Sequence, residues 1–452
     1  MVVEKGGSYM HRLRFVVPFA ALVLIAAACT NDDGGGGETG GTTGAAQEEN
    51  TGTVNVLSAL AAEEADTLQT LWDDTYGSQV DYQVEFEASE QFEEQLQIRS
   101  QAGTLDTILL PQPGAVKDQA ASGNALSLED LGYNVDDLNA TFGDYFVSLG
   151  EFEGEHYGLP TNSNWKSLIW YPKDDFDKAG YEIPETWDEL MALSDQIVAD
   201  GGTPWCVGFE SGTSTGWPAT DWVEDIMLAT AGQDTYTQWV NHEIPFTDPA
   251  VKTAVQDFGD VMFHPGYVLG GADQTPSIAF GDAPLPMFDN PPGCWLHRQA
   301  TFINAFFPKG TEYGVDYSAF PFPTIDQTGG LFAGELAVAY RNAPEIKDFL
   351  DKFSGEEFQC SMAGDPGLSR LSPNVNVGQD CYANPVLADA SGLLAAALKG
   401  EGGVQAGFDA SDQMPVEVGS GSFWTGMVQY MQEGPDSLDG ILQDIDDSWP
   451  AG

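Results

Sequence analysis

Basic residues are scarce in this 452-residue chain: 16 lysines and arginines stand against 70 aspartates and glutamates, a formal charge of −54. A body that negative repels phosphate backbones and anionic headgroups, so nucleic-acid binding and electrostatic membrane docking are both disfavoured. The same excess of carboxylate suits a salty surrounding, where screening relieves self-repulsion. Cysteine is sparse too, five in all, with no CxxC pair or histidine-spaced cluster of the kind that holds zinc. There is no P-loop, no HExxH helix and no EF-hand loop, so no cofactor and no metal is expected. Internal repeats are missing, and long apolar runs are missing except for one.

That run is Phe15 to Ala28, preceded by the basic stretch Met10-His11-Arg12-Leu13-Arg14 and ending in Ala26-Ala27-Ala28-Cys29. It is short for a bilayer span, and small residues before a cleavage point are what a signal peptidase accommodates. Residues 1–29 therefore read as a signal peptide. The cysteine directly after the small residues resembles a bacterial lipobox, with Cys29 acylated as the mature N-terminus, although a leucine is more usual where Ala26 stands. Plain secretion is the alternative. From Thr30 the chain is rich in Gly, Thr and acid, and residues 30–52 are expected to be a flexible tether, since such a segment buries too little to offset its chain entropy. About 400 residues remain, enough for two lobes.

Four cysteines are left: Cys206, Cys294, Cys360 and Cys381. Export to an oxidising compartment makes two disulfides the natural reading, with three possible pairings. The short span from Cys360 to Cys381 favours that pair and leaves Cys206 with Cys294; four buried free thiols are the blander reading.

The mature part opens with alternating strand and helix patterns. Thr53 to Leu57 alternates; Glu63 to Asp73 places Leu68, Leu71 and Trp72 at helical spacing; Val80, Tyr82, Val84 and Phe86 alternate again. A helix over 91–101 and a short strand over 106–110 follow. This order implies right-handed crossovers and a mainly parallel sheet, hence an α/β fold with its ligand beyond the strands' carboxyl ends. Ser58, Glu87 to Ser89 and Gln112 fall on that rim. Further on, Lys166 to Tyr171 is strand-like, and Thr186-Trp187-Asp188-Glu189 is a capping box that starts a helix with Leu190, Leu193 and Ile197 inward, stopped at Gly201-Gly202. Helices are expected again over 222–231 and 249–262.

Some short patterns imitate hydrolase sites. Gly212-Thr213-Ser214-Thr215-Gly216 matches GxSxG, but a nucleophile elbow needs a helix starting at its serine, and Pro218 is expected to delay helix entry. His242, His264 and His297 sit in no triad context. Asp221 and Asp225 at helical spacing imitate a glycosidase pair, which a chain this acidic produces without function.

Gly158-Leu159-Pro160-Thr161-Asn162, Ser167 to Pro172, Phe176 to Gly180 and Pro184 to Leu190 together resemble the extracellular solute-binding proteins of carbohydrate ABC importers, the maltose-binding-protein-like group. Thr203 to Gly212, Gly216-Trp217, Thr220 to Asp225, Pro292 to Ala300 and Gly421 to Trp424 resemble the subgroup associated with α-glucosides. The resemblance implies a monomeric, two-lobe periplasmic-binding-protein-like fold (type II), with residues 53–163 plus about 337–375 in one lobe and 164–336 plus about 376–452 in the other. Its implied partners are a sugar and the permease subunits of an ABC transporter, its only membrane link the lipid on Cys29, and its place the outer face of the cell membrane or the periplasm.

Eleven tryptophans are many for so acidic a chain, and an aromatic face stacks on the apolar patch of a pyranose. Trp165, Trp217, Trp222, Trp295 and Trp424 lie in Gly, Pro or Asn contexts and are the stacking candidates, each weighed against core packing. Trp170, Trp187 and Trp205 sit inside regular elements and are read as core. Glu210, Asp221 and Glu335 are the candidate carboxylates for sugar hydroxyls, Gln112 and Asn164 the candidate amides. Arg298 either pins a hydroxyl or pairs with a buried acid.

Overall fold

The computed structural model describes residues 47–89, 91–399 and 401–450. The signal segment, Cys29 and the tether as far as residue 46 lie outside the described residues. The tether's last residues are docked: the Glu48 N–H donates to the Asn342 carbonyl at 2.6 Å and the Thr51 N–H to the buried Glu345 carboxylate at 3.0 Å. Among the described residues no helix is long and apolar enough to cross a membrane.

Strands β1 (Thr53–Ser58), β2 (Gln83–Ala88) and β3 (Thr107–Leu110) pair in parallel in the order β2-β1-β3. Helix α1 (Ala62–Thr75) lays Leu68 and Trp72 against them, α2 (Phe92–Ala102) lays Phe92 and Leu96, and α3 (Pro113–Ala121) follows β3. The β2 strand begins later than its alternation predicts. The Val80 N–H closes onto the Tyr76 carbonyl at the exit of α1, and Tyr82 donates its hydroxyl to Asp348, far along the chain, at 2.7 Å, so both residues are taken up outside the ladder.

Helices α4 (Val135–Phe142) and α5 (Asp144–Ser148) and the hairpin β4 (Glu151–Phe152) and β5 (Glu155–His156) lead into β6 (Leu159–Trp165). A second, antiparallel sheet has β7 (Leu168–Tyr171) at its centre, flanked by β8 (His297–Arg298) and β9 (Ser318–Pro321). Around it pack α6 (Lys173–Ala179), α7 (Trp187–Ala199), α8 (Trp217–Val240) and α9 (Pro249–Met262). The capping box of α7 is present in both directions: the Glu189 N–H donates to Thr186 Oγ1 at 3.3 Å and the Thr186 N–H to Glu189 Oε2 at 3.1 Å. Helix α8 starts five residues before the expected 222, because Pro218 sits in its first turn, where a missing N–H costs nothing. Trp170 and Trp205 are core as expected, whereas Trp187 is half-buried against Phe322.

Strand β10 (Gly329–Ala339) joins the two bodies. All eleven of its residues are buried. Its first part pairs with β11 (Gln405–Phe408), its last part with β3, and β6 runs antiparallel along most of its length. Lys166, just after β6, donates its N–H to the Leu331 carbonyl, and Ser163 and Leu371 exchange backbone hydrogen bonds at 2.7 and 2.9 Å. Helices α10 (Pro344–Phe353) and α11 (Glu356–Gly364) return to the first sheet, and α12 (Pro385–Leu398) packs over β6, β10 and β11. The chain ends in α13 (Ala410–Gln413), α14 (Trp424–Glu433) and α15 (Leu438–Asp447). This is an α/β fold of two lobes, type II.

Both expected disulfides are formed, Cys206–Cys294 across 88 residues and Cys360–Cys381 across 21. Loop-closure entropy scales with the logarithm of the span, so replacing the first pair by serine is expected to cost about 4.6 kcal/mol and the second about 3.3 kcal/mol. Denaturant midpoints of the two double-serine variants against the oxidised wild type check this order.

Candidate functional site

The carboxyl ends of β1, β2 and β3 form the rim predicted for the ligand, and they meet the second body there. Glu93, in the first turn of α2, accepts a hydrogen bond from Ser214 Oγ at 3.3 Å. A Cβ built on Gly114 of α3 would lie 2.0 Å from the Met414 carbonyl oxygen, so only glycine permits this approach of α3 to the segment after α13. Ser58 is buried, its hydroxyl donating to the Glu87 carbonyl. Gln112 caps α3 at the rim and is buried, with 6 % of its surface exposed.

Below this contact lies a buried set of charges. Residues 221 and 225 are one turn apart on α8, so Asp221 and Asp225 point the same way, with Glu224 beside them. Lys166 donates to Asp221 at 2.8 Å and also to Asp409. Arg298 on β8 donates Nη1 to Asp221 at 2.9 Å and Nε to Asp225 at 2.7 Å. Ser167 also donates to Asp225. Glu224 accepts the N–H groups of Ala410 and Ser411 at 2.9 and 3.2 Å, and the Asp409 carboxylate accepts the N–H of Asp412.

Burial pushes the Asp221 carboxyl up to about 6, against the pull of Lys166 and Arg298. Glu224 is pushed well above the usual carboxylate range by burial and then by Asp409 and Asp221. Asp409 stays below its ordinary value although burial opposes ionisation, because Lys166 outweighs that penalty. Carboxylate oxygens of Asp221, Glu224 and Asp409 lie within 4.8 Å of one another. The Lys166 ammonium, bonded to two of the three, supplies the positive charge there.

A second set lies on the first body. Arg370 donates to Glu335 and, at 2.8 Å, to Glu64 in the first turn of α1. Glu335 is on β10, and the Asn162 side chain also bonds it. Burial raises the Glu335 carboxyl, with Arg370 working against that rise.

The sequence candidates divide accordingly. Asp221 and Arg298 are joined in the buried set, and Arg298 is a partner of acids. Glu335 belongs to the set on the first body. Trp217 opens α8 half-buried, with Lys166 Nζ 5.2 Å from its ring centroid and Phe280 and Phe302 at 5.3 and 5.9 Å. Trp424 is buried and donates its indole N–H to Ser411, next to the buried set. Trp165 is buried against Gly330 with its indole N–H unpartnered, and Asn164 is half-buried opposite Ala333. Glu210 is half-buried and accepts the Gly212 N–H at 2.8 Å.

Two tryptophans go elsewhere. Trp222 is 2 % exposed, enclosed by Trp205, Phe258 and Phe322, and has no face to offer. Trp295 packs edge-on to Tyr181 and beside Gly202, at the exit of α7. Sequence reasoning missed Lys166, Asp409, Glu224, Arg370 and Glu64. The usable signal was scarcity: a lysine between Trp165 and Ser167, just ahead of the apolar strand β7, needs a partner. The GxSxG serine donates to a carboxylate and precedes α8 by three residues, so neither an imidazole contact nor an elbow helix is built.

Removing one partner of a buried, hydrogen-bonded charge set strands the others. Lys166→Met is expected to lose about 3–5 kcal/mol of stability. Lys178→Met, whose side chain is 68 % exposed beside Asp174 and Asp175, is expected to change it by at most about 0.5 kcal/mol. Urea unfolding of both variants measures the contrast.

Residues 61–359 match the family of bacterial extracellular solute-binding proteins. The chain is 39 % identical over 363 residues to the alpha-glucosides-binding periplasmic protein AglE of Rhizobium meliloti (strain 1021), covering 77 % of each chain. It is 34 % identical over 410 residues to the osmoprotective compounds-binding protein GgtB of Synechocystis sp., covering 89 % of this chain and 94 % of that one. Among solved structures, the bacterial solute receptor AcbH superposes with a TM-score of 0.72 at 17 % identity over 88 % of this chain and 98 % of that one. Maltose-bound MalE3 of T. maritima superposes with 0.65 at 15 % over 87 % and 98 %. With the two-lobe α/β fold and these matches in agreement, the chain belongs to the bacterial extracellular solute-binding proteins.

Proposed function

We propose that this protein is the substrate-binding component of an ABC transporter: it captures a sugar between its lobes, an α-glucoside or other small oligosaccharide, and delivers it to the permease subunits. The observation that carries the reading is the meeting of the rim with the second lobe at Glu93 and Ser214, three residues before the half-buried Trp217. The α-glucoside part leans on the AglE relative and on the aromatic chemistry of the rim. Sequence boundaries near 163 and 337 divide the moving bodies, and Lys166 fastens the first crossing to the second lobe.

Closure follows from differential affinity. A sugar touches both lobes only when they are shut, so it shifts the population toward the shut form by as much as that difference in binding. Selectivity comes from buried donors and acceptors that a wrong sugar leaves unpaired. Binding is the activity; the serine and aspartate pairs that imitate hydrolase sites are spent on Glu93 and on Arg298. The lipid on Cys29 is the membrane link, at the outer face of the cell membrane or in the periplasm, and the working unit is a monomer.

Calorimetric titration of the mature protein against neutral mono- and disaccharides, with small-angle scattering in parallel, tests this. Micromolar or tighter binding with a smaller radius of gyration is expected for at least one saccharide; no compaction with any, and sugar cleavage in solution, would replace the reading with a hydrolase. Trp217→Ala is expected to weaken the bound saccharide roughly tenfold, the worth of one stacking face, and an unchanged Kd removes Trp217 from the site.

A further inference from the structure

Residues 370–372 are held from several sides, and the residues that hold them flank a disulfide. Arg370 is buried and donates to Glu335 on β10 and, at 2.8 Å, to Glu64 in the first turn of α1. Leu371 is buried and exchanges backbone bonds with Ser163 of β6. Ser372 donates its hydroxyl to Gln359 Oε1 at 2.7 Å and its N–H to the Tyr382 hydroxyl at 2.9 Å. Gln359 directly precedes Cys360 on α11, and Tyr382 directly follows Cys381. The Gln359 amide also donates to the Thr161 carbonyl of β6 at 2.9 Å. The Cys360–Cys381 bond, spanning 21 residues, thus closes a loop whose two ends both grip Ser372. The two residues before Ser372 reach β6, β10 and α1, and the first turn of α1 follows the carboxyl end of β1 at the rim. The two disulfides also differ in access. Cys206 and Cys294 are 1 % and 0 % exposed, whereas Cys360 and Cys381 are half-buried and within reach of a thiol from solution.

We infer that the Cys360–Cys381 disulfide is a positioning element for ligand binding: through Gln359 and Tyr382 it holds Ser372, and with it the Arg370 that pins Glu335 and Glu64. Opened, it slackens 370–372, and a ligand must order that segment again as it binds, which lowers affinity without unfolding the protein. This rests on the sugar reading. The opening is a two-electron exchange with a dithiol. One thiolate attacks a cysteine sulfur to form a mixed disulfide, and the second thiol displaces it, so the dithiol leaves as a disulfide and Cys360 and Cys381 become thiols. The stability that a disulfide confers by restricting the unfolded chain is a separate effect, because affinity is read on folded protein.

The test opens the bond in the mature protein with dithiothreitol under native conditions and locates the freed thiols by alkylation and mass analysis. Cys360 and Cys381 are expected to be labelled while Cys206 and Cys294 stay oxidised. The opened protein and the Cys360→Ser/Cys381→Ser variant are then titrated with whichever of maltose, trehalose or sucrose the oxidised wild type binds most tightly. Both are expected to bind roughly tenfold more weakly, the effect of fixing one slackened residue again. Ser372→Ala, which keeps both disulfides, is expected to lose a similar factor, and adding it to the opened protein is expected to lose less than the product. Amide exchange at Ser163 and Leu371 is expected to rise on opening while the amides of β1 and β3 stay protected. An opened protein with the affinity and exchange of the oxidised one overturns the inference and leaves the sugar reading standing, as does unchanged affinity in Ser372→Ala or labelling of Cys206 and Cys294 first. A wild type that binds none of the three sugars overturns the α-glucoside reading and the inference with it. If the double-serine variant does not fold, the dithiol-opened wild type and Ser372→Ala decide by the same tenfold criterion.

Discussion

The contact on which the rest of the structure depends is the ammonium of Lys166 held between Asp221 and Asp409. Those three residues come from the end of a crossing strand, from a helix of the second lobe and from the turn after β11. Isolated, any one of them would be a buried charge of the kind proteins avoid. Joined, and extended through Arg298 to Asp225 and through backbone amides to Glu224, they tie the end of β6, helix α8, strand β8 and the turn after β11 to one another. Buried ion pairs add little net stability over a well-packed apolar core. What this one adds is position: α8, whose first residue is Trp217, is oriented by the same carboxylates that hold the crossing strand.

That arrangement separates the stiff from the movable. β10 is buried along its whole length and shares backbone bonds with β3, β6 and β11. Each lobe has its own buried charge set, Glu64 with Arg370 and Glu335 on one side and the Lys166 set on the other. Between the lobes at the rim the contacts are of another kind, a serine hydroxyl on a carboxylate and a glycine against a carbonyl. Contacts of that strength can be exchanged for those of a sugar, whereas the charge sets cannot be opened without stranding ions.

Much of the fold was legible in residues. Period-two alternation located β1, helical spacing of Leu68 and Trp72 located α1, and the reciprocal Thr186 and Glu189 bonds were readable from four letters. Both disulfides followed from export and spacing. What failed were edges and partners. Tyr82 alternates like a strand residue but is claimed by Asp348, 266 residues along the chain and beyond the reach of local pattern. Pro218 was read as an obstacle to a helix when it is part of the first turn. Among the candidate ligand residues, a tryptophan in a glycine-rich stretch reads the same whether it ends in the core, as Trp222 does, or half-buried at the rim, as Trp217 does. The difference is set by tertiary packing, by Trp205 and Phe258 on one side and by Phe280 and Phe302 on the other.

The charge balance ties the surface to the interior. With 16 basic residues for 70 acids, a surface arginine or lysine would relieve repulsion wherever it stood, yet Lys166, Arg298 and Arg370 are nearly or fully buried. Screening by salt weakens repulsion among exposed carboxylates strongly and within a buried set hardly at all. Added salt can therefore take over part of the duty of cations on the surface but cannot replace them inside. A chain with few cations to place gains most by placing them where ions from solution cannot follow, and this chain has buried three of them against carboxylates.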